Sequence, residues 1–410
     1  MSHAIARRAL IIISLMLFAE TACGSDLQRD GKIGHSLDRT TSNPRTLFFE
    51  ASADPRIFLK ARINESEPLY FILDSGSTWS FIDPSVVRSL GLKTEGQGQI
   101  TNAQGDPIDL TFVKGVTLDI SGAKFSDQFL AVAPMKVKFI HPVAGIIGSP
   151  FFKRFVVGID YTARSLTLYE PHDYMYHGRG QILPLEFQDE LPVLRVVLTI
   201  GMGLPVEARL MVDSGASWPV QLYRPFVEAK KLLTSSEGML RLGGSAGLGG
   251  RQSFLVGRAK SVRLGRLEFK NQIVTFSQDE KGFGTSTERD GLIGTATLNR
   301  FRVVFDYARQ RMIIEPAELF HVSFDYDLTG LTVTAEGKEF KVSSVYDGSR
   351  ASESGLQAGD VILRFDDRLT SQMNLTQFRQ MFRQDGHEHI LSIKRGTEIM
   401  RIKLQTLKVD

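Results

Sequence analysis

The tripeptide Asp-Ser-Gly stands twice in this chain, at Asp74-Ser75-Gly76 and Asp213-Ser214-Gly215, each time at the end of an apolar run. The runs are Phe71-Ile72-Leu73 and Leu210-Met211-Val212, and Trp79 and Trp218 follow at matching distances. A short apolar run closed by polar and small residues predicts a buried strand that breaks into a tight turn. Glycine in the turn permits close approaches that a side chain would block. An ionised aspartate at the end of a buried strand is costly unless something pairs with it. Two aspartates in matching settings therefore predict one shared site.

The downstream sequence repeats as well. Ala144-Gly145-Ile146-Ile147-Gly148 leads to Phe155, then Asp160-Tyr161, then Glu170-Pro171. After the second copy, Asp290-Gly291-Leu292-Ile293-Gly294 leads to Phe301, then Asp306-Tyr307, then Glu315-Pro316. The same order at similar offsets is an internal duplication of one unit. Each unit reads as strands with one short helix, expected at Pro84–Leu90 and at Pro225–Leu233.

Asp-Ser-Gly followed by a double-apolar-Gly segment, twice, resembles the retropepsin-like and pepsin-like aspartic peptidases. The resemblance covers roughly residues 46–318. It implies two β-barrel lobes in a pseudo-twofold pair, here 46–173 and 182–318, with one aspartate from each. Serine replaces the commoner threonine after each aspartate but keeps the hydroxyl. Two carboxylates a hydrogen bond apart cannot both ionise, so their titrations split and they share a proton; aspartic proteases are the usual example. The ionised partner can activate water while the protonated one polarises a peptide carbonyl. The expected catalytic residues are Asp74 and Asp213. Ser75, Gly76, Ser77, Ser214 and Gly215 are expected to support the two turns. Ser77 offers a hydroxyl to Asp74 where Ala216 offers none to Asp213, which predicts that Asp213 more often holds the proton.

The family also implies a mobile hairpin over the site. Gly96–Pro107 reads as such a hairpin, and Gly243–Gly250 lies at a similar distance after the second aspartate. Gly243-Gly244-Ser245-Ala246-Gly247 also matches a nucleophile elbow, which would need a helix after it. More glycine follows instead.

The net charge of +3 and scattered Lys and Arg give no sign of a nucleic-acid partner. Eight His with no HExxH, and a single Cys, give no support for a metal, and no cofactor is expected. His141 and His321 read as polar surface. The lone cysteine excludes an intrachain disulfide, so the lobes must hold by core packing. At the N-terminus, Arg7-Arg8 precede an apolar run from Ala9 to Ala19 that is short for a membrane span. Residues 1–23 read as an export signal, with Cys23 as a candidate lipid-bearing residue of a bacterial lipoprotein and cleavage after Gly24 as the rival. Residues 24–45 read as a polar tether. The expected location is the periplasm or cell envelope, with membrane contact only through that lipid.

Beyond Pro316 the composition changes. Gly348-Ser349-Arg350-Ala351, Gly355-Leu356 and Gly359-Asp360-Val361-Ile362 resemble a bacterial PDZ domain, spanning 322–408. Such domains bind extended peptides by strand addition. The binding loop is expected at Gly330-Leu331-Thr332-Val333. The reading is a mainly β architecture of two barrel lobes followed by a small α+β PDZ domain, expected as a monomer and acting on protein or peptide substrates as an exported aspartic endopeptidase. A catalytically silent peptide-binding scaffold is the alternative, and lobe pairing between chains is also open.

Overall fold

The computed structural model describes residues 44–50, 55–102, 105–135, 141–233, 239–245, 251–322, 329–337, 339–346, 348–382 and 386–406. The expected export signal, Cys23, nearly all of the expected tether and the glycine-rich run 246–250 lie outside the described residues.

Two closed β-barrels of six strands each make up the body of the molecule. Around the first, the order is Phe58–Ile63, Leu69–Leu73, Val143–Ile147, Ser80–Ile82, Ala123–Val132 and Pro107–Ile120, and Arg62 pairs Asp119 to close it. Around the second it is Leu191–Ile200, Val206–Asp213, Gly291–Gly294, Val220–Leu222, Leu267–Ser277 and Arg251–Leu264, closed by Val197 opposite Arg263. Side-chain alternation explains the barrel walls. In Phe58–Ile63, Leu59, Ala61 and Ile63 are buried while Lys60 and Arg62 are exposed.

A third sheet joins the barrels. Its order is Arg45–Phe48, Ser165–Tyr169, Val156–Asp160, Phe301–Asp306, Arg311–Pro316 and Gln181–Pro184, three strands from each unit. The central pair is antiparallel, with Ile159 opposite Val303. The main core runs through this junction. Phe152 is fully buried and packs on Phe305 and Tyr307, with ring centroids 5.2 and 5.5 Å apart.

The expected short helices form at Pro84–Ser89 and Arg224–Ala229, each with proline in its first turn. The Asp83 side chain caps the first by accepting from Ser85 N. The elbow reading fails: Leu240–Ser245 is a strand paired antiparallel with Arg251–Leu264, so Ser245 does not open a helix.

The C-terminal domain has its own core, built on Phe340, Phe365, Phe378 and Phe382. Its main sheet runs Leu331–Glu336, Glu339–Val345, Val361–Phe365, Glu388–Arg395 and Glu398–Gln405. Asp360, almost fully buried, receives Arg395 Nε and Nη2, both at 2.7 Å. Gly330 has φ +75° and precedes Leu331–Glu336, an edge strand beside the helix Leu375–Met381. A Cβ at Gly330 would strike Ser349, so only glycine fits there.

Candidate active site

Each Asp-Ser-Gly turn leaves its strand at the junction of the barrels. Leu73 and Asp213 end strands that run parallel to Val143–Ile147 and Gly291–Gly294, and Asp74 N donates to Ile147 O at 2.9 Å. Gly148 and Gly294 make room for the turns. A Cβ at either would collide with the backbone carbonyl of Trp79 or Trp218.

The two turns are bolted together by the serines. Ser75 Oγ donates to Val212 O at 2.7 Å and accepts from Ser214 N at 3.0 Å. Ser214 Oγ donates to Leu73 O at 2.9 Å and accepts from Ser75 N at 2.9 Å. Both serines are fully buried. Every hydroxyl in this reciprocal set is satisfied twice, and each bond crosses between the barrels.

This brace sets the aspartates face to face. A Cβ on Gly76 would lie 2.5 Å from Asp213 Cγ, and one on Gly215 would collide with Asp74 Cγ. Each glycine thus makes room for the opposite carboxylate. Asp74 accepts from Gly76 N at 2.8 Å. Asp213 accepts from Gly215 N at 2.8 Å and also from Ala216 N at 2.9 Å.

The environment pushes both carboxyls upward. For Asp74 burial is the largest cause and the charge of Asp213 the next, and it lies well above the usual carboxylate range. Burial also raises Asp213, but bonds from Asp74, Gly215 N and Ala216 N oppose it. The extra backbone N–H on Asp213 favours its ionised form and so leaves the shared proton to Asp74. Arg56 favours ionisation of both. The expectation from Ser77 is reversed: its hydroxyl donates to Trp79 O at 2.8 Å rather than to Asp74. The backbone N–H of Ala216 supplies what its side chain lacks. Ser77 joins the turn through its carbonyl, which accepts from Ser149 N at 2.8 Å.

Several contributors escaped the sequence reading. Thr295 Oγ1 donates to Ser214 O at 3.0 Å, and Ser149 Oγ reaches across to Glu190 O at 3.2 Å. Both follow the downstream glycine of their repeat, and that shared hydroxyl position was a readable signal. Tyr307 lies below the site with an unpartnered buried hydroxyl, raised by burial and by the charges of both aspartates. His141 is no plain surface residue: it stacks on Tyr70 at 4.2 Å.

The expected hairpin forms from Glu95–Thr101 and Pro107–Ile120. Residues 103 and 104 at its tip lie outside the described residues. Its tip reaches the second barrel, where Asp106 Oδ1 meets Lys281 Nζ at 2.6 Å. Gly105 packs against Gly282.

At the C-terminal domain, Gly330, Leu331 and Val333 lie at the start of the edge strand, with Leu331 and Val333 buried; Thr332 pairs with Ser344 through its backbone. No curated protein matches this chain. Residues 59–151 match the family model of the aspartyl proteases and residues 341–395 match that of the PDZ domain, so the chain joins a retropepsin-like aspartyl protease domain to a PDZ domain.

Proposed function

We propose that this chain is an exported aspartic endopeptidase in which Asp74 and Asp213 cleave peptide bonds and the PDZ domain selects protein substrates or partners. The observation that carries this reading is the reciprocal Ser75–Ser214 brace, which seats one carboxyl over the opposite glycine on each side. A structural turn needs no such convergence of two half-buried acids.

The unequal donors assign the roles. Asp213, with two backbone N–H donors, is the base: it takes a proton from water as the water oxygen bonds to the substrate carbonyl carbon. Asp74 gives its proton to the carbonyl oxygen, which yields a neutral tetrahedral diol. As the C–N bond breaks, the proton on Asp213 passes to the leaving nitrogen, and a diol proton returns to Asp74. The products are a carboxylic acid and an amine. The hairpin latched at Asp106–Lys281 is the cover that must lift for substrate to enter. Export rests on the N-terminal signal, and substrate selection on strand addition at Leu331–Glu336.

The test is digestion of an unfolded protein by the purified chain, with and without a statine-type transition-state mimic. Inhibitable cleavage that disappears in both Asp74→Asn and Asp213→Asn supports the proposal. A folded protein that binds peptides but never cuts them sinks it and leaves the scaffold reading.

A further inference from the structure

Next to the dyad, the second barrel carries a small apolar cluster apart from the main core: Leu191, Met211 and Leu292, with Ala216 packed on them. Met211 precedes Asp213 by two residues on one strand, so both side chains leave on the same face. Leu292 is its partner in register on the next strand. One charged side chain is set into this patch. Arg289 is 6 % exposed, and its only hydrogen bond among the described residues runs from Nη1 to Met211 Sδ at 3.2 Å. Its Nε is buried without a partner. Asp189 and Glu288 lie off Nη2 at 3.7 and 3.8 Å, beyond hydrogen-bond reach, and the buried Oε2 of Glu288 accepts no hydrogen bond. The contact with Met211, two residues before Asp213 on the same strand, places the guanidinium beside the strand that carries the second aspartate.

A guanidinium withdrawn from water needs oxygen acceptors in place of its hydration. A thioether sulfur is a weak acceptor, and among the described residues Asp189 and Glu288 pair with the charge only at Nη2, without a hydrogen bond to Nε or Nη1. A planar group with two oxygens would complete the set. Resting on the peptidase reading above, we propose that Arg289 determines specificity by receiving a carboxylate of the substrate on the second-barrel side of the scissile bond. That carboxylate comes either from a Glu or Asp side chain or from the free C-terminus of a short peptide. Met211, unbranched and flexible, is the residue that moves aside to admit it.

The experiment measures binding of non-hydrolysable peptides carrying a reduced amide, and cleavage of their normal counterparts, by wild type, Arg289→Gln and Arg289→Lys. The series places Glu or its uncharged isostere Gln at successive positions after the central bond in C-terminally amidated peptides. A second arm compares free and amidated C-termini in all-neutral peptides. The expected result is a preference of about tenfold or more for the carboxylate form in one arm, lost in Arg289→Gln and weakened but still present in Arg289→Lys, whose point charge attracts a carboxylate without the two-pronged fit. The arm that shows it identifies the source. Equal binding of charged and neutral peptides by wild type, or a preference that survives in Arg289→Gln, overturns the inference. If wild type binds and cuts the series without such a preference, only the role of Arg289 falls. If nothing is bound or cut, the peptidase reading falls with it. Should Arg289→Gln fail to fold, a wild-type preference that Arg289→Lys abolishes counts against a simple charge contact and overturns the inference, whereas retention supports it.

Discussion

Replacing Ser75 by alanine tests the brace between the barrels directly. The substitution deletes one hydroxyl and with it the bonds to Val212 O and from Ser214 N. Both bereaved groups belong to a fully buried junction, so water cannot readily replace the lost partner. A buried polar group left unsatisfied costs about 1–3 kcal/mol, so two cost about 2–6 kcal/mol. Ser75 and Ser214 each accept from the other's backbone N–H in one reciprocal set, so the two losses are coupled rather than independent. Even short of the additive limit of about 4–12 kcal/mol, the loss in Ser75→Ala/Ser214→Ala is a large share of the roughly 5–15 kcal/mol that holds a typical domain folded. The single variants should unfold at distinctly lower urea concentration, and the double variant should fail to form paired barrels. The dyad should also drift, and a misplacement near 1 Å costs about 100-fold in rate. The assays are urea denaturation and peptide hydrolysis on the same preparations. A single variant destabilised by less than about 1 kcal/mol, with activity intact, would refute the reasoning from buried unsatisfied groups.

Asp74→Asn should abolish hydrolysis yet melt at higher temperature than wild type at pH 7. Asp74 is raised in the fold, so the unfolded chain ionises first as pH climbs past the ordinary carboxylate value; that penalty is absent below it, and the gap in melting temperature should close near pH 3. Lys281→Ala should speed association of a statine-type inhibitor, because the closed hairpin loses its latch, and high salt should bring wild type towards the same rate. Since Lys281 lowers Asp106, the latch should hold at neutral pH and fail only as pH falls below the ordinary carboxylate range; release at pH 6 would show that another contact closes the hairpin. A chain ended after Val322 should cut short peptides like the full protein but lose preference among protein substrates, because the PDZ core is separate from that of the barrels. Ending it at Pro316 should instead destabilise the second barrel, since Phe320 packs on Phe269 and Phe301.

Local signals carried far. The paired Asp-Ser-Gly turns, the downstream glycines, the proline-started helices and the hairpin at Glu95–Ile120 could all be read from short stretches, because strand alternation and turn chemistry are properties of neighbours in sequence. What stayed hidden depends on residues far apart. Nothing near Lys281 announces a partner at Asp106, and nothing near Arg289 announces a contact with Met211. The Ser77 expectation went astray for a related reason. Counting hydroxyls overlooked the backbone, and the direction of the Ala216 N–H is set by the turn, not by the residue's side chain.

The sheet shared by the two units also governs how the chain must be made. Val156–Asp160 finds its central partner only in Phe301–Asp306. On a ribosome at about 5–20 residues per second, Phe301 emerges roughly 150 residues, and so about 7–30 s, after Val156. Throughout that interval the first barrel carries an unfinished, largely apolar sheet edge, and such edges recruit whatever strand arrives first. The companion edge of a second nascent chain is an equally good match. High expression should therefore favour exchange of barrels between chains and insoluble product, while slow synthesis or a holding chaperone should favour correct pairing within one chain.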